Sequence, residues 1–322
     1  MKEIPSLGFE LNKKYRHAIE CGYFDTWEQD PRQWKHTFAG AFVWKYPDRC
    51  ITLKTFQSML GRLPTWEDIT DDNLRDLVEE LLSGDRTESS VRTMCAELKS
   101  LLRENRRKIF SEEHDRILSI KPTATRHVYI TEEEMERIIE YTPKTHAEEF
   151  VRRNFLVSMM TGARLSDAQR LTIDNCNSET GILSYIPIKT KGIVVNVPVN
   201  ERYGLRNLLA ITELTPCDLS TYNDLIRAIC QRLCIDAPSQ ASRHGKEVTA
   251  PKYELVSSHT ARRSFATNLY LAYVHIEDIA LMMGHGKNTE TTKRYICAER
   301  PVSPNVMSYF QAQPQSQFYP AP

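Results

Sequence analysis

Two runs of β-branched residues, Ile182 to Ile188 and Ile193 to Val199, flank Lys189-Thr190-Lys191-Gly192 in a chain whose other apolar residues recur mostly at helical spacing. A glycine-containing turn between two such runs is a hairpin signal. One hairpin among many helices leaves few architectures open, because helical faces must then bury one another and cover the hairpin. Thr70 precedes a stretch in which Leu74, Leu77, Val78, Leu81 and Leu82 share one helical face up to Gly84. A second helix from Thr87 carries Val91, Met94, Leu98, Leu101 and Leu102. Thr131-Glu132-Glu133-Glu134 reads as a capping box that opens a helix holding Met135, Ile138 and Ile139. The helix containing Phe150, Phe155, Leu156 and Met159 is expected to stop at Gly162. Arg164 then lies in a tight connection, and Ser166 or Asp167 is expected to cap a short helix. Further helices are expected over Thr221 to Ile235, 259–273 and 276–283. The aromatic-rich stretch around Trp27, Trp34, Trp44 and Trp66 is read as helical, without placement of its elements. The fold class expected is mainly α with a small β-sheet (α+β).

A chain of 322 residues has room for two domains. Ser119-Ile120-Lys121-Pro122-Thr123-Ala124-Thr125 carries a proline and no periodicity, so it reads as a linker. The expected organisation is a helical domain over 1–125, a second domain over 126–300, and a tail over 301–322. That tail, ending Q-A-Q-P-Q-S-Q-F-Y-P-A-P, is expected to bury little and to be mobile. Lys+Arg and Asp+Glu both total 42, so net charge gives no general sign of a nucleic-acid partner. Local patches decide that question. One candidate patch is the run Lys99, Arg103, Arg106, Arg107 and Lys108, which is equally readable as a solvated helix end. No stretch approaches the roughly 20 apolar residues of a membrane helix, and Met1-Lys2-Glu3-Ile4-Pro5 opens no signal peptide. The eight cysteines suggest no disulfide scaffold. Cys230 and Cys234 are read as free thiols, because structural zinc sites use four ligands at defined spacings. A soluble cytoplasmic protein is the expectation.

The chemistry-bearing residues lie between 161 and 295. Arg164 sits in T-G-A-R-L-S-D-A, His259 and Arg262 in S-S-H-T-A-R-R-S-F-A-T, His285 in M-M-G-H-G, and Tyr295 in T-T-K-R-Y. A phosphodiester resists attack because its oxygens repel nucleophiles and its leaving alkoxide is poor. An enzyme must therefore stabilise the charge of the transition state and protonate the leaving oxygen. Two guanidinium forks grip phosphate oxygens and stay charged. A histidine can add a hydrogen bond, and a second can take the proton of a phenol.

This ordered set resembles the tyrosine recombinase (phage integrase) family. The resemblance implies that Tyr295 is the nucleophile, that Arg164, Arg262 and His285 hold the phosphate, and that His259 accepts the phenol's proton. It implies a hairpin lysine as proton donor to the leaving 5′-oxygen, either Lys189 or Lys191, with Lys189 favoured by the K-T pair before a strand ending in V-P. It gives Asp167 a supporting role beside the first arginine. The loop from His285 to Tyr295 is one residue longer than in many members, and Ala272-Tyr273-Val274 replaces a turn in which glycine is common. By resemblance, 1–125 is a core-binding domain that closes with the catalytic domain as a C-shaped clamp on double-stranded DNA. Lys99, Arg103, Arg106, Arg107, Lys108, Lys191 and Arg263 are then candidate DNA contacts. No cofactor or metal is implied, and no membrane. Four protomers would assemble on two sites, with accessory DNA-bending or excision factors as further partners. The implied activity is site-specific cutting and rejoining through a 3′-phosphotyrosine, in the service of a mobile element or phage. A type IB topoisomerase-like nicking-closing enzyme and a catalytically silent DNA-binding protein of the same fold remain alternatives.

Overall fold

The computed structural model describes residues 36–84, 86–105, 110–121, 125–190, 192–243, 246–302 and 307–308. Contacts between Cα atoms divide the chain into two compact units, one of 1–124 with 243–246 and the other of 125–242 and 247–322. Trp27 and Trp34 lie outside the described residues, as do Arg106, Arg107, Lys108, Lys191 and most of the tail over 301–322.

The described part of the first unit is helical: α1 Phe38–Lys45, α2 Ile51–Leu60, α3 Asp71–Ser83, α4 Glu88–Glu104 and α5 Glu112–Ile117. Local chemistry sets their starts. The hydroxyls of Thr70, Thr87 and Ser111 each accept a backbone N–H three residues on, closing the first turns of α3, α4 and α5. The apolar faces read from the sequence meet in a core of Phe38, Phe42, Phe56, Leu74, Leu77, Leu81, Val91, Leu98 and Leu101. Trp44 lies in α1, and the Trp66 ring stands edge-on to Phe38 with centroids 5.3 Å apart.

The second unit opens with α6 Glu132–Glu140, whose Thr131–Glu134 capping box forms as expected. Glu134 also accepts from Lys252 Nζ at 2.5 Å. Next comes α7 His146–Thr161, buried on nearly every side through Phe150, Val151, Phe155, Leu156, Val157, Met159 and Met160. It ends at Gly162, at φ +68°. A Cβ there would lie 2.6 Å from the Phe265 ring, so both backbone and packing demand glycine. The short helix α8 Leu165–Ala168 differs from expectation: its cap is Arg164, in extended conformation and without a side-chain cap bond. Ser166 and Asp167 therefore lie inside the helix instead of capping it. The Asp167 carboxylate accepts the Ile188 N–H at 2.9 Å and Arg170 Nη2 at 3.1 Å.

Three antiparallel strands follow, β1 Cys176–Asn177, β2 Ile182–Tyr185 and β3 Val195–Pro198, in the order β1-β2-β3. Leu183 pairs with Val197 and Tyr185 with Val195, which sends these four side chains into the core. The strands are shorter than the β-branched runs. Pro187 has no N–H to give the ladder, so pairing stops at Tyr185, and Ile186, Ile188, Ile193 and Val194 stay exposed. After α9 Leu205–Ala210 comes α10 Leu219–Arg232, capped by Asp218. A second hairpin, β4 Pro238–Arg243 with β5 Lys246–Pro251, was not expected from the sequence. The chain then forms α11 Lys252–Leu255, α12 Ser258–Leu271, α13 Ile276–Met282 and α14 Thr289–Lys293. α12 lies against α7 in the core. Among the described residues, no helix is long and apolar enough to cross a membrane.

Candidate active site

The site grows from the ends of helices. α7 stops at Gly162 and delivers Arg164, and α12 carries His259, Arg262 and Arg263 in its first two turns. α13 ends in a Schellman motif, in which Gly284 N–H donates to Leu281 O at 3.0 Å and His285 N–H to Ala280 O at 2.9 Å. Gly284 adopts φ +69°, and a Cβ there would sit 3.0 Å from Val195 Cγ2 on β3. His285 is thus seated against the first hairpin. α14 leads on to Tyr295, and Gly286 in the connection from His285 adopts φ +58°.

Arg262 is the hub and is 1% exposed. It donates to Gly162 O, to Met283 O at 2.6 Å and to His285 Nε2 at 2.9 Å. Its guanidinium carbon lies 5.2 Å from the Tyr295 ring centroid. The rings of His285 and Tyr295 are 5.4 Å apart. Arg262, His285 and Tyr295, drawn from three segments, therefore touch one another. Burial, and then the charge of Arg164, pull the pKa of Arg262 below its usual value. Burial likewise lowers the pKa of His285 to about 4, aided by Arg262 and Arg164.

Arg164 is half-buried, and its Nη1 is enclosed without a hydrogen-bond partner. Arg262 Nε and Arg263 Nε are also enclosed and unpartnered. Among the described residues no carboxylate forms an ion pair with Arg164, Arg262 or Arg263; Asp167 pairs with Arg170 instead. Clustered cations with idle donors are the arrangement an anion completes. His259 is exposed, close enough to the cluster for its charges to act on the ring. Desolvation, followed by the charges of Arg263, Arg262, Arg164 and Lys189, lowers its pKa. Lys189 is exposed on the loop beyond β2, which the Asp167–Ile188 bond anchors to the Arg164 helix. Asp167 thus acts on the lysine loop, a different task from bracing Arg164 directly.

Arg153 carries no signal in the motifs yet positions the site. It is 2% exposed and donates to Leu208 O at 3.1 Å, to Ala168 O at 2.7 Å and to Leu171 O. It thereby ties α7 to the far end of α8. Burial lowers its pKa to about 10. Of the expected DNA strip, Lys99 and Arg103 lie among the described residues. Lys99 and Arg103 both pair with Asp115, at 3.1 and 2.6 Å, so their charge is partly spent within the unit. Cys230 is buried and Cys234 exposed, both as free thiols.

A pH effect follows from His285. In an unfolded chain its ring titrates near 6.5, whereas in the fold it takes a proton only near 4. Between those values the unfolded chain binds more protons, so the stability contribution is full above about 6.5 and drains away as pH falls toward 4. Urea unfolding at pH 7 and pH 5 should show wild type losing on the order of 1–2 kcal/mol more than His285→Gln. Equal losses would contradict the depressed pKa.

A family model described as the phage integrase family matches residues 128–300. No curated protein sequence matches the chain. Among solved structures, a Tn1549 transposon integrase in complex with transposon right end DNA aligns at TM-score 0.57 and 13% identity, over 92% of this chain and 98% of that one. A lambda integrase dimer bound to a core site aligns at 0.54 and 15%, over 83% and 98%. The XerH site-specific recombinase bound to its difH substrate aligns at 0.53 and 14%, over 85% and 79%. At such identities the likeness is one of fold.

Proposed function

This chain belongs to the phage integrase family, and on that premise we propose that it is a site-specific DNA recombinase that cuts and rejoins strands through a 3′-phosphotyrosine at Tyr295. The observation that carries the reading is the contact of Arg262 with both His285 and the Tyr295 ring, beside an Arg164 whose donor has no partner. An incoming phosphate would complete those donors. Tyr295 oxygen attacks phosphorus and gives its proton to His259. The bond to the 5′-oxygen breaks, and that oxygen takes a proton from the hairpin lysine, Lys189 in this reading. The two guanidinium groups stabilise charge on the non-bridging oxygens. Phosphoester bond energy is kept in the phosphotyrosine, so a second 5′-hydroxyl can reverse the step without ATP.

The solved neighbours in complex with DNA, and the lambda integrase tetramer bound to a Holliday junction, support duplex DNA as partner and assembly on two sites. Integration of a mobile element is the role that fits best. The test uses a pool of nicked duplexes spanning the DNA that flanks the gene. The protein should become covalently attached to a subset of them, releasing a free 5′-hydroxyl, with no ATP present. Failure to trap any DNA, from fragments that the protein demonstrably binds, would refute the reading in favour of a silent DNA-binding protein. Relaxation of plasmids that lack a trapped site would instead favour a nicking-closing enzyme.

A further inference from the structure

Thr292 is 0% exposed and lies on α14, three residues before Tyr295. Its carbonyl accepts the Tyr295 N–H at 2.9 Å, and its hydroxyl lies 2.9 Å from His285 Nδ1. On the other side of the same ring, Arg262 Nη2 lies 2.9 Å from Nε2. A guanidinium only donates, so Nε2 must be the acceptor. The neutral ring therefore carries its proton on Nδ1 and donates it to Thr292 Oγ1. In that state His285 has no N–H to offer a phosphate oxygen. A threonine hydroxyl, however, both accepts and donates.

We propose that Thr292 is a positioning residue for strand cleavage: its hydroxyl holds His285 in the Nδ1–H form without DNA, and turns to donate to Nδ1 when a phosphate draws the Arg262 N–H away. Nε2 then bears the proton and faces the phosphate as a donor. One proton leaves Nδ1 for solvent and one is taken up at Nε2, so the ring stays neutral. The same residue, through its carbonyl, fixes the backbone of the nucleophile. A single residue thus links the state of His285 to the seating of Tyr295, by its hydroxyl on one side and its carbonyl on the other. This inference rests on the recombinase reading above.

Two measurements test it. The first is the ¹⁵N spectrum of the His285 imidazole, identified by its loss in His285→Gln, in the DNA-free protein and in a Tyr295→Phe complex with a trapped site. The Nδ1–H form is expected without DNA and the Nε2–H form with it; the same tautomer in both states would overturn the proposal. The second is single-turnover covalent cleavage. Thr292→Val should slow it on the order of 10- to 100-fold, by analogy with loss of the outer hydrogen-bond partner of a metal-bound histidine, whereas Thr292→Ser should stay within about threefold of wild type. A Ser variant as slow as Val, or a Val variant as fast as wild type, would also overturn it. The spectrum of the unmodified protein keeps the test decisive if the Val variant folds poorly. Absence of cleavage by wild type itself would strike the recombinase reading instead.

Discussion

Tyr295→Phe should form no covalent DNA adduct while binding the same DNA and melting close to wild type. The phenyl ring keeps its ring contacts with His285 and with the guanidinium of Arg262, and loses the hydrogen bond between the hydroxyl and Arg262. The backbone of Tyr295 stays anchored through its N–H to Thr292 O at 2.9 Å and through Thr267 Oγ1, which donates to its carbonyl at 3.3 Å. Only the oxygen that would attack phosphorus is lost. Loss of the nucleophile of a serine protease costs about 10⁶-fold in kcat, so here no adduct should be detected. A phosphotyrosine still formed by the Phe variant would point to another nucleophile.

The second large effect separates the two arginines. Arg262→Ala should destabilise the fold and stop cleavage together. Its removal strips the carbonyls of Gly162 and Met283 of their buried donor, at about 1–3 kcal/mol for each unsatisfied group, and those carbonyls end the helices that present Arg164 and His285. Arg164→Ala should act on chemistry alone. Its Nη1 is enclosed without a partner, and its charge opposes that of Arg262. Thermal unfolding should therefore leave Arg164→Ala as stable as wild type or more so, while cleavage falls on the order of 10²- to 10³-fold, the scale of a deleted oxyanion donor. Such opposition between stability and activity is what a preorganised site for an absent charge entails. Destabilisation of the Arg164 variant comparable to that of Arg262→Ala would show that Arg164 is structural.

Much of the framework was legible because it is local. Thr70 and Thr131 cap as a short polar side chain before an apolar period should, and Gly162 ends α7 because only glycine tolerates both the backbone angle and the Phe265 ring. Where tertiary contacts decide, local signals misled. Ser166 and Asp167 have the chemistry of caps, but Asp167 is recruited by the Ile188 N–H, and the helix starts two or three residues earlier. The strand that begins at Pro238 reads P-S-Q-A-S-R, without β-branched residues. It pairs with its partner in the hairpin and holds the backbone of Arg126 through Ser242, neither of which leaves a periodic mark. Tyr273 takes φ +63° where glycine is the easy choice, in a Schellman motif closed by Val274 N–H to Leu269 O at 3.0 Å. Its hydroxyl donates to Pro301 O and Val302 O at 3.2 Å, contacts glycine could not make.

The candidate site was legible differently, as an ordered set of residue types whose convergence no local pattern can supply. Arg262, His285 and Tyr295 are brought into contact, with Arg164 close enough for its charge to act on both Arg262 and His285. Arg153, buried in the middle of α7, was not legible: in sequence it is one of two adjacent arginines, and only its carbonyl partners reveal its task. Thr292 was likewise hidden inside T-T-K-R-Y. Its value lies in facing His285 from seven residues away.

The most direct test is to digest the trapped protein–DNA complex with trypsin and nuclease and to identify by mass spectrometry the peptide that retains nucleotide. The account predicts a phosphonucleotide on the side chain of Tyr295, linked through the 3′ end of the cut strand. A nucleotide found on any other residue, or a 5′ linkage at Tyr295, would contradict it.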